Sequence, residues 1–139
     1  MAVSNKSLEG GKIRTLRLLA VVLALSLMIG ELWRSWGAGR PIAFIMDDQI
    51  MGAMLLTGAA LMQRPTVRRR AFFSAGWAVN AGMLYGSFFG KVFAPQNAEA
   101  GNWDLGILTV LIGVAFATAI IGLLWSIFAI PAEEQGSLT

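Results

Sequence analysis

The chain contains no cysteine and no histidine. Without them it has no thiolate or imidazole to hold zinc, no histidine-ligated haem, no cysteine-bound iron–sulfur cluster and no thiol–disulfide chemistry. Charge is scarce as well. Only 14% of the 139 residues are Asp, Glu, Lys or Arg, where a soluble domain carries about 25%. The four prolines, Pro41, Pro65, Pro95 and Pro131, all stand at the edges of apolar runs, so none of them breaks a long run from within. Also missing are a nucleophile beside a base, a metal-binding constellation and a phosphate-cradling glycine loop after a strand. The sequence therefore points away from an enzyme and implies no cofactor and no metal.

What is present is apolar: 56% of the residues are hydrophobic. Four stretches, residues 16–36, 41–63, 71–94 and 105–130, each reach the roughly 20 residues that carry a helix across a bilayer. The expected fold class is an all-α integral membrane protein, a bundle of four transmembrane helices forming one domain over residues 1–139. The short polar stretch before residue 12 reads as a mobile tail. A cleaved signal peptide is the competing reading of the first stretch, with residues 37–39 as a small-residue cleavage site; bulky Glu31, Trp33, Arg34 and Trp36 ahead of that site argue against it.

Lys6, Lys12, Arg14 and Arg17 precede the first stretch or lie at its start, and Arg64, Arg68, Arg69 and Arg70 follow the second. They make up eight of the eleven basic residues. Basic residues stay on the cytoplasmic side, so both segments and both termini are expected there, in a multi-pass protein of the cell membrane (the inner membrane if the source is bacterial). The net charge of +3 flanks apolar spans instead of lining a soluble face, so nucleic acid is not the implied partner. The lipid bilayer is, with anionic lipid a candidate at Arg68, Arg69 and Arg70. Trp33, Trp36 and Trp103 are expected at the outer interface and Trp125 near the inner edge. The tail at 132–139, with Glu133 and Glu134, is expected in the cytoplasm.

The anomaly is the second stretch, which holds two adjacent acids, Asp47 and Asp48. Seven residues separate Asp48 from Pro41, so at the helical rise it lies about 10 Å below the membrane edge. A carboxylate held there unpaired costs roughly 2.5–3.5 kcal/mol on the insertion scale. Topology brings Glu31, Asp47 and Asp48 to the same half of the bilayer as Arg34, Arg40 and Lys91, with Asn80, Tyr85 and Ser87 nearby. A polar cluster of these nine residues is expected in the outer half, with a dry inner half. Asp48 either locks a helix contact or binds a cation or proton, and Lys91 either pairs with an acid or snorkels to the interface.

The third stretch carries Ala78, Gly82, Gly86 and Gly90 at four-residue intervals, a stripe that suits close approach of another helix. Gly113 and Gly122 serve the same purpose in the fourth. Small size, absent cofactor ligands and these faces point to a non-catalytic accessory or assembly subunit, with other membrane subunits or itself as partner. The alternative is a small transporter or ion-conducting oligomer that binds a cation or proton at a membrane carboxylate.

Overall fold

The computed structural model describes residues 2–129, with side chains described from residue 7 to residue 128. The expectations for Lys6, Ile130, Pro131 and the tail with Glu133 and Glu134 lie outside the described side chains. Among the described residues the regular structure is all helical, with no strand. Helix α1 runs Ala2–Ser35, α2 Ile42–Leu61, α3 Val67–Phe93 and α4 Leu105–Leu124; a 3-10 turn, Pro95–Asn97, follows α3, and a π turn, Trp125–Ala129, continues α4.

Local chemistry sets these limits. Pro41, which has no amide proton to leave unpaired, stands immediately before α2. Thr66 caps α3, its Oγ1 accepting from the Arg69 amide at 3.2 Å, so the basic residues 68–70 lie in the first turn of a helix and not in a loop. Asp104 caps α4 in the same way, Oδ1 accepting from the Ile107 amide at 3.0 Å. Helix α1 corrects the expectation of a mobile N-terminal tail, because helix continues back to Ala2 through Gly10 and Gly11. Propagating an existing helix adds one hydrogen bond per residue fixed, and each glycine costs only about 1 kcal/mol relative to alanine.

Consecutive helices pack on one another, and α4 also touches α1. The contact faces follow the helical period: Leu16, Ala20, Leu23 and Ala24 on α1, Met51, Leu55 and Ala59 on α2, and Phe73, Trp77, Ala81 and Leu84 on α3 are all buried. Glycine lets the large rings in. A Cβ at Gly58 would stand 2.8 Å from the Phe73 ring, one at Gly122 would overlap the Trp77 ring, and one at Gly113 would stand 2.8 Å from Phe88. The α2–α3 contact runs from Gly58 and Phe73 to Met51 and Asn80, whose Nδ2 donates to the Met51 carbonyl at 3.1 Å.

Among the described residues the stripe on α3 is left open. Ala78, Gly82, Gly86 and Gly90 are exposed, and nothing lies within 4 Å of a Cβ built at any of the three glycines. At about 100° per residue, Gly82 lies half a turn round from Phe73, so α3 turns its bulky face inward and its small face outward.

Among the described residues three helical segments are long and apolar enough to cross a membrane: Ser7–Ser35, Ile42–Leu61 and Leu105–Phe128. No more than 28% of the most apolar window in each is buried inside the chain. Leu18, Val22, Leu25 and Ile29 form one exposed apolar face on α1. Surfaces of this kind belong in lipid or against another apolar chain, as in a multi-pass membrane protein.

Candidate functional site

The charged residues gather where α1 ends, at the same end of the molecule as the α3–α4 connection. Glu31 is the hub, only 3% exposed. Ser35, one helical turn on, donates from Oγ to Oε1 at 2.7 Å, and Arg34 lies 3.3 Å from Oε2. Arg40 donates to Oε1 of Glu31, and to Ser35 Oγ at 2.8 Å. It reaches back because the turn after α1 reverses through Gly37 and Gly39, both at positive φ. Two guanidiniums and a hydroxyl thus satisfy one buried carboxylate.

The connection between α3 and α4 is tied onto this end of α1. Arg34 donates through Nε to the Glu99 carbonyl at 3.1 Å. Asn102 donates from Nδ2 to the Trp33 carbonyl at 2.9 Å and to that of Trp36 at 2.6 Å, and from its amide to that of Arg34 at 3.1 Å. These bonds go to carbonyls at and just beyond the end of α1, where the intrahelical ladder runs out. Gly101 permits the contact: its φ is 60°, and a Cβ there would run into the Arg34 carbonyl. The Glu99 carboxylate ends 3.8 Å from Arg40 Nε, completing a group of two acids and two bases.

Beside this neutral group opens a cavity of about 420 Å³, lined by Glu31, Arg34, Arg40, Asp47, Asp48, Ser87, Lys91 and Glu99 together with Phe44, Met51, Met83, Leu84, Gly86 and Gly90. It lies outward of the Met51–Asn80 contact, where both α2 and α3 contribute to its wall. Gln49 fixes α2 next to the acids, Nε2 donating to the Met28 carbonyl at 3.0 Å. Asp47 is exposed and Asp48 half-buried. Among the described residues neither makes an ion pair or a hydrogen bond through its side chain. Lys91, 9% exposed, donates to its own helix neighbour, to Ser87 Oγ at 2.9 Å and the Ser87 carbonyl at 3.4 Å. No group of three acids is placed to hold a metal among the described residues.

Of the nine residues expected to cluster, seven line this cavity. Asn80 does not; it is fully buried between α2 and its own helix, donating to the Met51 and Gly76 carbonyls. Tyr85 turns away, 56% exposed, its ring 4.7 Å from that of Phe89 and 5.9 Å from that of Phe116. Sequence reasoning missed Ser35, Glu99 and Asn102. Ser35 was within reach, since i+4 on a helix puts it over Glu31. Glu99 and Asn102 carry no such signal, because a loop's path is set by what it lands on.

Of the basic residues at the opposite end, Arg70 closes α4, donating to the Ser126 and Ile127 carbonyls at 3.2 and 2.8 Å. Arg69 donates to the Arg64 carbonyl at 2.9 Å, and Arg68 is exposed. No family model, curated protein or solved structure matches this chain.

Proposed function

We propose that the chain is a four-span membrane protein, both termini cytoplasmic, that takes a cation or proton into an outward-facing cavity as a small transporter or ion-conducting oligomer. On this reading α3 also crosses the membrane, as the third of four spans, and the cavity lies in the outer half of the bilayer. The observation that supports it is the pair Asp47 and Asp48, which border a cavity and among the described residues have no ion-pair partner, while Glu31 and Glu99 have theirs. An unpaired membrane carboxylate is costly to keep, and a cation that enters and leaves is one use for it.

The experiment is flux of monovalent cations and protons into proteoliposomes. Asp48→Asn abolishes flux while detergent thermostability holds or rises. Flux that survives Asp48→Asn and Asp47→Asn, singly and together, overturns the reading. A second reading, a non-catalytic accessory or assembly subunit, is supported by the open stripe of Ala78, Gly82, Gly86 and Gly90.

A further inference from the structure

Lys91 gives the cavity a second pole. Its ammonium carries three donors, and the two contacts it makes both go to Ser87. Among the described residues no carboxylate comes within 4.0 Å of it, although four line the same cavity. Glu31 and Glu99 are taken by Arg34 and Arg40, so the unmatched charges are Lys91 on α3 and Asp47 and Asp48 on α2. Opposite charges left apart in a low-dielectric setting are expensive, and a direct bridge between them would be the cheapest remedy. No such bridge forms among the described residues, although both sides line the one cavity.

We propose that the cavity binds a zwitterion, a protonated primary amine joined by a short link to a phosphate or carboxylate. The ammonium sits at Asp47 and Asp48 and the anionic group at Lys91 and the Ser87 hydroxyl. Phe44, Met51 and Met83 supply apolar wall for the link between them. About 420 Å³ is within the range of small-ligand sites, which runs from roughly 300 to 1,000 Å³. Gly86 and Gly90 line the cavity and are exposed on the helix surface, so its mouth admits either a lipid headgroup or a free solute. This rests on the cation reading for the Asp pole and adds the Lys pole to it.

The test is calorimetric titration of the delipidated protein with glycerophosphoethanolamine, ethanolamine and inorganic phosphate. The native protein prefers the zwitterion to ethanolamine by roughly tenfold, the worth of one charge-assisted contact. Lys91→Met inverts the order: the zwitterion weakens, and ethanolamine, no longer repelled, tightens. Ser87→Ala narrows the preference and serves in place of Lys91→Met if that variant does not fold. Asp48→Asn weakens both amines.

Native protein that binds ethanolamine as well as the zwitterion overturns the proposal but leaves the cation reading standing. Weakening of both amines by Lys91→Met shows a structural lysine and also overturns it. Binding of none of the three probes overturns it as well, and the cation reading falls too if Asp48→Asn leaves flux unchanged. Nanodiscs separate the sources: phosphatidylethanolamine that competes with the soluble probe, where phosphatidylglycerol does not, assigns the site to a lipid headgroup. Absence of competition assigns it to a free zwitterion.

Discussion

Glu31 and Asp48 are both acids in apolar helices, yet their surroundings give them different work. Glu31 is surrounded by Arg34, Arg40 and Ser35, and removing its charge leaves two guanidiniums facing each other. Breaking a buried pair from one side costs about 3–5 kcal/mol, so Glu31→Gln is expected to lose that much. Arg40→Gln is expected to lose less, because Glu31 keeps Arg34 and Ser35. Reversible unfolding in mixed micelles measures both. Equal, small losses would show that the group is held by water and that Glu31 is not its hub. Glu31 and Arg34 were expected in one cluster, and i+3 and i+4 spacing would have put Arg34 and the missed Ser35 beside Glu31. That Arg40 would pair with Glu31 and not with Asp48 was not legible, since it depends on the two glycine turns that swing Arg40 back.

Helix α3 is the element on which the topology depends. Its 27 residues are long enough to cross a bilayer, but Arg68, Arg69 and Arg70 open it and Asn80, Ser87 and Lys91 follow, so it is less apolar than its neighbours. The Asn80 Nδ2 donates to the Met51 and Gly76 carbonyls, although its buried Oδ1 accepts no bond among the described residues, and Arg70 is spent on the end of α4, which lowers part of the cost of placing α3 in the membrane. Reporter fusions in the 62–66 turn and after Gly101 are expected to report opposite sides, the first cytoplasmic. Both on one side would remove α3 as a span.

Length and hydropathy made the helices legible, and Thr66 and Asp104 show why α3 and α4 start where they do. The face that α3 turns inward was not legible. In water the apolar face is the buried one, whereas in lipid both faces are apolar and side-chain size decides. Here Phe73, Trp77 and Leu84 took the inside, and the receiving glycines are on α2 and α4.

At the scale of the whole molecule, the small-residue surface that is left over faces outward along α3. Gly82 serves as a probe of it, being exposed, with no described residue within 4 Å of a Cβ built there, and away from the cavity lining. If the stripe seats a helix of a second subunit, native protein isolated in mild detergent is expected to bring down a foreign subunit or a second copy, and Gly82→Leu is expected to abolish that association. Because no described residue lies within 4 Å of a Cβ built at Gly82, the same substitution should leave the thermostability of the isolated monomer unchanged. Gly122→Leu provides the contrast, since Trp77 already fills the space beside Gly122. Overpacking there should cost about 1–3 kcal/mol in the monomer. Association that survives Gly82→Leu would mean that the stripe faces lipid, and the assembly reading would lose its support. A monomer destabilised by Gly82→Leu would instead mean that α3 turns a different face inward, and the cavity bounded by Lys91 and Asp48 would have to be redrawn.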